Sequence, residues 1–279
     1  MIQHWFMQVP TLMSWINMIY SFIHIPGTIL FLVLLYYYCV TSNRVSPPQT
    51  DSRRSSTRAP SGSPFGPDLY ASRRRTMGLS NLLAFIVFTA WPCMPPRLLS
   101  DPAYNGDSAK EARSYGFVDT VHGAGGQSSV WTSNKFCNQF AAMPSLHFGY
   151  SLLVGMTVVT LPLASRHQGN RVSVSFLGCR GSVYIPSLTR AVCVFLGLAY
   201  PTIILIAIVS TANHFILDAV AGAMVCAIAW RGNEVLLNFV PLEDWFLWCL
   251  RAHKAEIYDS HTGQKLDGMR SSGKAVVLN

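Results

Sequence analysis

Charged side chains are scarce in this chain of 279 residues, and their scarcity excludes an ordinary soluble globular protein. Only 12% of the residues are Asp, Glu, Lys or Arg, whereas about 25% are charged in a typical soluble domain. Four stretches contain no charged residue at all: 1–43, 76–96, 136–165 and 191–217. Because about 20 apolar residues cross a bilayer as a helix, these stretches predict an all-α, polytopic transmembrane helix bundle.

Other absences narrow the class further. The seven cysteines include no Cys-x-x-Cys pair, so they predict small apolar residues rather than a disulfide framework or a metal site. The N-terminal apolar run lacks the basic segment that opens a cleaved signal peptide, so we expect residues 1–40 to stay as a membrane anchor. Basic and aromatic residues are not interleaved, so the net charge of +8 does not indicate a nucleic-acid partner.

The apolar stretches predict about five to six spans. We place five of them at about 12–40, 78–98, 147–164, 191–210 and 213–231. The first span contains Pro26-Gly27, which allows either one long span or a short interfacial helix followed by a true span.

Loop charges predict the orientation of these spans. The segment 41–77 has seven Arg against two Asp, and the loop 165–190 has four Arg and no acid. The loop 99–146 has three basic residues against four acidic ones. Because basic loops stay in the cytosol, we expect 41–77 and 165–190 to be cytosolic and 99–146 to be lumenal.

The segments outside the core differ in composition from it. The segment 41–77 is rich in Ser, Pro, Gly and Arg and is predicted to be a disordered cytosolic loop. Residues 78–231 form the predicted transmembrane core, and residues 232–279 form a cytosolic tail. Within that tail, EDWFLWCLRAHK (243–254) predicts a helix at the membrane surface or, alternatively, a packed soluble helix.

The pair His214 and Asp218 is the first candidate for chemistry. Asp218 is the only charged residue between Arg190 and Arg231, and a carboxylate in such a stretch costs about 3 kcal/mol unless it is compensated. A spacing of four places both side chains on one face of a helix. The pair predicts either a structural contact between packed helices or a histidine that Asp218 orients for chemistry.

Further polar residues are expected at the same lumenal face, and each suits a phosphate. Pro144 favours the first turn of a helix, whose free N–H groups bind anions, and Ser145 adds a hydroxyl. The Arg97 guanidinium can hold two phosphate oxygens. His214 can attack phosphorus, and His147 can protonate a departing alkoxide. Taken singly, Ser145 is equally typical of a helix cap, and Arg97 of an interfacial charge.

Two segments resemble signature motifs of the type 2 phosphatidic acid phosphatase superfamily. They are MPSLHFGYS (143–151) and TANHFILDAVAG (211–222), and the resemblance covers roughly residues 79–231. The segment NQFAAMPSLH (138–147), together with PPRLL upstream (95–99), is most similar to the fungal inositolphosphotransferase, or inositol phosphorylceramide synthase, branch.

The resemblance implies roles for the candidate residues. It implies that His214 is the nucleophile and forms a phosphohistidine, that Asp218 orients it, and that His147 acts as general acid and then base. It implies that Ser145 lies on the phosphate, and that neither a metal nor another cofactor is needed. The implied substrates are a phospholipid and a lipid alcohol such as ceramide, and the implied location is a Golgi or ER membrane with a lumenal active site.

The chain also departs from the family pattern. The usual first motif pairs a Lys with a downstream Arg-Pro, but only Pro95-Pro96-Arg97 is present here. The usual third motif begins with Ser-Arg, where this chain has Ala207 and Ile208. Three functions therefore remain open: transfer of a phosphoryl headgroup to a lipid hydroxyl, transfer to water, and a non-catalytic membrane or lipid-transport protein.

Overall fold

The computed structural model describes residues 2–41, 67–122, 126, 138–163, 169–176 and 179–252. Most of its regular elements are helices. The α-helices are α1 (Ile2–Met7), α2 (Pro10–Met18), α3 (His24–Tyr36), α4 (Pro67–Ala90), α5 (Ala109–Ser114), α6 (Leu146–Val159), α7 (Leu188–Ser210), α8 (Ile216–Gly232) and α9 (Val240–Cys249). Two strands, β1 (Asn170–Phe176) and β2 (Cys179–Ile185), form an antiparallel hairpin. The predicted all-α membrane bundle is confirmed, and the hairpin in the loop 165–190 is an addition that the sequence did not predict.

Three helices among the described residues are long and apolar enough to cross a membrane. They are Pro10–Cys39, Leu188–Ser210 and Ile216–Cys249. The segment predicted at 147–164 is α6, an apolar helix of only 14 residues. The total of five to six spans therefore stays a prediction.

The helix α4, which contains most of the span predicted at 78–98, begins and ends earlier in the sequence than that span. α4 begins at Pro67 and ends at Ala90, so residues 67–77, predicted to be disordered, are helical. Proline suits a first helical turn and Asp68 in that turn favours the positive end of the helix dipole. At the other end, Pro92 and the prolines after it cannot continue the helix. The remaining part of the predicted disordered loop, 42–66, lies outside the described residues.

The first membrane helix, defined here as Pro10–Cys39, is continuous through Pro26. Of the two arrangements that Pro26-Gly27 allowed, the structure shows the single long helix, which widens into a π-helical segment at Ile19–Ile23 just before the proline. There the His24 N–H bonds to the Ile19 carbonyl, five residues back. This widening accommodates a residue that lacks an N–H and would otherwise clash with the preceding turn.

The core joins the first membrane helix to the later helices. Its buried members come from the first membrane helix, the segment after α5, α7 and α8: Ile16, Tyr20, Val121, Ile204, Ala207, Ile208 and Ala219. Ala207 and Ile208, which replace the Ser-Arg of the third motif, are thus core residues rather than groups that could contact a charged substrate.

Glycines let α6 approach α7 and α8 closely. A Cβ atom on Gly197 of α7 would lie 2.6 Å from the Gly155 carbonyl oxygen of α6, and a Cβ on Gly155 would overlap the Gly197 carbonyl. A Cβ on Gly222 of α8 would overlap the Ser145 carbonyl oxygen. Close contacts of this kind, through small residues, are how membrane helices pack without a hydrophobic driving force between them.

We therefore expect Gly155→Ala to destabilise the bundle by about 1–3 kcal/mol, because the added methyl group must push α6 and α7 apart. Gly27→Ala is the matched control, since no atom lies within 4 Å of a Cβ built there. Thermal unfolding in detergent should show a lower Tm for Gly155→Ala and an unchanged or higher Tm for Gly27→Ala. Equal Tm values would mean that the two helices are not in close contact.

The described residues from Arg231 onward, 231–252, belong to a second unit of the chain. Within its described part, the 3-10 helix Asn233–Phe239 leads into α9, on which Trp245 and Trp248 are exposed. The aromatic segment is therefore helical over Val240–Cys249, and its contact with a membrane surface stays a prediction.

Candidate active site

His147 and His214 lie side by side. Their ring centroids are 5.6 Å apart, although one residue is in the first turn of α6 and the other precedes α8 by two residues. His214 is 7% exposed. Within the described residues, no protein group bonds to either ring nitrogen of His147, so its ring is available to a substrate.

The first turn of α6 is built around Ser145. Ser145 is the N-cap, and its hydroxyl oxygen accepts from the Phe148 N–H at 3.4 Å. Pro144 therefore lies before the cap, not in the first helical turn where we predicted it. This bond gives the hydroxyl of Ser145, which is fully buried, a partner inside the protein. The backbone N–H of Ser145 donates to the Asp218 carbonyl oxygen at 2.9 Å, which ties the start of α6 to α8.

A backbone carbonyl, rather than Asp218, makes the closest contact to His214. Its Nδ1 lies 2.8 Å from the Ala142 carbonyl oxygen and 3.7 Å from Asp218 Oδ2. A carbonyl oxygen only accepts, so Nδ1 carries the proton, and the Nε2 of the neutral ring carries the free electron pair. The predicted hydrogen bond between the two residues is thus replaced by a longer contact, 3.7 Å from Nδ1 to the carboxylate oxygen.

Asp218 has a second partner that explains this distance. His214 is not helical, because α8 begins only at Ile216, so the assumed helical spacing between the two residues does not apply. Instead, Asp218 Oδ2 accepts from the Phe215 N–H at 2.8 Å at the start of that helix. The carboxylate therefore caps the helix and at the same time places a negative charge near the His214 ring.

The turn before His214 is held by a strained backbone. Ala212 has a positive φ of 54°, which is uncommon for a residue with a Cβ and costs about 1 kcal/mol or more. The N–H groups of Asn213 and His214 both donate to the Ile208 carbonyl oxygen at 3.1 Å. The Ala212 carbonyl accepts from the Arg97 N–H at 2.9 Å. These bonds fix the backbone from which the His214 ring projects.

Arg97 is buried, 8% exposed, and its guanidinium binds three side chains. Nε donates to Asn213 Oδ1 at 3.0 Å, one terminal nitrogen to Asp119 Oδ2 at 3.0 Å, and the other to Gln139 Oε1. A guanidinium has five N–H donors, so two remain beyond these three bonds. The side chain is thus part of a buried polar network beside His214, and it does not lie as an exposed interfacial charge would.

Asp119 is the anionic centre of this network, and sequence reasoning missed it. Its Oδ1 accepts from the His122 N–H at 2.7 Å and from the Val121 N–H at 3.0 Å. Burial alone raises the pKa of Asp119, but the bonds from His122 and the charge of Arg97 more than offset it and hold the pKa below its usual range. The carboxylate is therefore ionised and neutralises Arg97. In the sequence it is only one of four acids in the loop 99–146.

Amide side chains near the N-terminus hold the segment that carries Asp119. Gln3 exchanges two hydrogen bonds with the backbone of Val118, at 2.7 and 3.1 Å. Asn17 donates to the Thr120 carbonyl oxygen at 3.0 Å and accepts from its hydroxyl at 3.1 Å. The N-terminal segment without charged side chains is therefore more than an anchor, because it holds the residues on either side of Asp119, the partner of Arg97.

Two residues of the first membrane helix reach His147 directly. The Tyr20 ring stacks on it with centroids 4.7 Å apart, and the His24 ring lies 5.2 Å away. His24 Nδ1 is 2.9 Å from the Tyr200 hydroxyl. Sequence reasoning missed both residues. The available signal was a histidine in a stretch of 43 residues without a charge.

Comparison with known proteins adds one finding. A family described as the PAP2 superfamily matches residues 65–174 and 181–231, which together make up more than half of the chain. No curated protein matches the chain, and no solved structure matches it either.

Proposed function

Because the chain belongs to the PAP2 superfamily, we propose that it is a membrane lipid phosphotransferase that works through a phosphohistidine on His214. Membership supports a lipid phosphatase or phosphotransferase in general. The finer proposal, transfer of an inositol phosphate headgroup to a lipid hydroxyl such as ceramide, rests on the sequence of the motifs. The observation that carries the phosphohistidine chemistry is the pairing of His147 with a His214 whose Nδ1 proton is held by the Ala142 carbonyl.

In the first step, Nε2 of His214 attacks the phosphorus of a phospholipid such as phosphatidylinositol. A nitrogen–phosphorus bond forms, the bond from phosphorus to the diacylglycerol oxygen breaks, and His147 gives its proton to that oxygen. Asp218, 3.7 Å from Nδ1, stabilises the positive charge that develops on the attacking ring. Metal-independent chemistry of this kind needs only these side chains.

Phosphate oxygens would be held by three sets of donors. The free N–H groups in the first turn of α6 point out of a helix of 14 residues, at the positive end of its dipole. The Ser145 hydroxyl has a proton to donate while its oxygen caps the helix. The two N–H groups that Arg97 does not use within the protein complete the set.

In the second step, an acceptor hydroxyl takes the phosphoryl group. His147, now neutral, removes the hydroxyl proton, the acceptor oxygen bonds to phosphorus, and the bond from phosphorus to Nε2 breaks. A lipid alcohol gives a new phospholipid, whereas water gives the hydrolysis that a lipid phosphate phosphatase performs. An apolar groove next to the site, lined by Phe148, Leu205 and the α8 side chains Ile216, Val220, Met224 and Ala227, suits the acyl chains of either kind of lipid.

The test is to trap the intermediate. Purified protein in detergent is mixed with phosphatidylinositol or phosphatidic acid labelled with ³²P, with and without ceramide, and quenched in alkali, in which phosphohistidine survives. A protein-bound label that moves to ceramide supports the transferase, and one that is released to water supports the phosphatase. No label from either lipid would favour the third function, a non-catalytic membrane protein, for which the core positions Ala207 and Ile208 in place of Ser-Arg are the motivating observation.

Asp218→Asn should lower kcat by roughly 10²-fold, at the low end of the loss seen for triad carboxylates, because the Ala142 carbonyl still holds the correct tautomer. Asn can still accept from the Phe215 N–H, so Tm should change little. Steady-state kinetics and thermal unfolding on the same preparation check both parts. If His214 and Asp218 served only to hold helices together, Asp218→Asn would lower Tm, and activity per folded molecule would stay normal.

We propose that the site faces the lumen of an endomembrane such as the Golgi or ER. Glycosylation tags near position 115 should then be modified, whereas tags near 60 and 175 should not, because arginine-rich loops stay in the cytosol. Cysteine labelling at the same positions gives an independent readout. If positions 60 and 115 were found on the same side of the membrane, α4 between them would not cross it.

A further inference from the structure

The geometry points to His24 as a positioning residue for His147, supplied by a helix that lies outside the family match. The matched residues begin at 65, whereas His24 belongs to the first membrane helix. This inference rests on the proposed function, because it assigns His24 a task only if His147 transfers protons. It makes the first membrane helix a component of the active site.

The contact between this helix and His147 is an aromatic one. Tyr20 lies nearly parallel to the His147 ring, at 26°, and His24 is tilted from it by 32°. Both residues are buried, with exposures of 6% and 1%. With His214 at 5.6 Å, the His147 ring thus lies among three rings, two of which come from the first membrane helix. Such a ring cannot change its rotamer without displacing its neighbours.

His24 is itself held in place. Its Nδ1 bonds to the Tyr200 hydroxyl of α7 at 2.9 Å, so the imidazole is fixed between two helices. A buried imidazole needs such a bond, whereas an apolar side chain would fill the same space at this depth without one. The bond sets the plane of the His24 ring, and that ring lies against His147.

The backbone of the first membrane helix supports this arrangement. The π-helical segment Ile19–Ile23 starts one residue before Tyr20 and ends one residue before His24. Single π-helical turns occur often at functional sites, because they change the direction of side chains without ending the helix. Residues four apart still share a face of the widened turn, so both rings are directed towards His147.

Positioning matters here because His147 must give a proton in one step and take one in the next. Both transfers require a fixed distance from its ring to the leaving or entering oxygen, and an error of about 1 Å costs roughly 10²-fold in rate. A loss of His24 should therefore act on kcat, with little effect on the binding of the lipid.

The test compares His24→Leu, His24→Asn and Tyr200→Phe in the purified full-length protein, with short-chain ³²P-labelled phosphatidylinositol as the probe. We expect His24→Leu to lower kcat by about 10- to 100-fold with KM within about threefold, and to shift the limb of the pH profile that belongs to His147. Tyr200→Phe, which removes only the hydroxyl, should lower kcat less. His24→Asn keeps a group that can bond to Tyr200 and should recover part of the loss. Leu30→Ala, an exposed position on the same helix, is the control and should behave as wild type.

A kcat within twofold of wild type and an unchanged pH profile in His24→Leu would overturn the inference. So would a loss that follows the fraction of folded protein, because a structural residue changes the amount of enzyme and not its pH profile. If His24→Leu does not fold, Tyr200→Phe decides, and a wild-type kcat and pH profile there would equally overturn it. Failure of the proposed function itself would look different, because wild-type protein would then carry no phosphohistidine label.

Discussion

His214→Asn is expected to abolish turnover and phosphohistidine labelling while the protein still folds and inserts. The amide nitrogen of Asn can take the place of Nδ1 and donate to the Ala142 carbonyl, so the local backbone keeps its partner. What the variant lacks is Nε2, the atom proposed to attack phosphorus. Because covalent catalysis has no substitute for its nucleophile, activity should fall by at least about 10³-fold.

Two further variants make the result specific. His214→Gln removes the same nucleophile with a side chain closer in length and should be equally inactive. His4→Gln changes a histidine outside the site, whose ring bonds to the Gly116 carbonyl, and should keep normal activity. If a verified His214→Gln protein retained a tenth of wild-type turnover, covalent catalysis by this residue would be excluded.

Arg97→Ala should produce the second largest loss. A preorganised donor to developing charge contributes about 3–4 kcal/mol, which corresponds to roughly 10²- to 10³-fold in kcat. Arg97→Lys should be nearly as severe, because one ammonium group cannot reach Asn213, Asp119 and Gln139 together as the planar guanidinium does. An anchor that set only the depth of the helix would tolerate Lys. Near-normal activity of Arg97→Lys would therefore rule out the guanidinium as a phosphate ligand.

Part of that loss is expected to come from Asp119, because Arg97→Ala removes the cation that faces this partly buried carboxylate and leaves it, within the described residues, only its bonds from Val121 and His122. The double variant Arg97→Ala/Asp119→Asn separates the two effects, because it removes the unpaired charge. We expect the double variant to regain the Tm of wild type but not its kcat. Recovery of both would mean that Arg97 serves only to neutralise Asp119 and to hold Asn213. Tm and kcat measured on the four proteins of this cycle decide between the roles.

The sequence predicted the parts of the structure that depend on side-chain chemistry and spacing. Stretches without charge indicated a membrane bundle, because a bilayer accepts few other sequences. His147 and His214 were each predicted at a helix start on the same face, and the structure places their rings in contact. Their catalytic roles stay predictions.

Other features could not be predicted, because they depend on backbone atoms or on packing between distant segments. The Ala142 carbonyl that orients His214 has no signature in the sequence, since every residue has a carbonyl. Asp218 is the residue that helical spacing predicts to orient His214, but His214 precedes the first residue of α8 and the spacing does not apply. Likewise, Tyr20 and His24 are unremarkable in an apolar helix until that helix packs against His147.

The amide contacts of Gln3 and Asn17 have a practical consequence for expression and gene annotation. A shortened open reading frame that started at residue 65 would encode every residue of the family match, including His147, His214 and Arg97. It would lack the side chains that secure the segment from Val118 to Thr120, and the rings beside His147. Such a product would be recognised as a family member by its sequence and yet should be inactive. For the same reason, an affinity tag is better fused to the C-terminus than before Gln3.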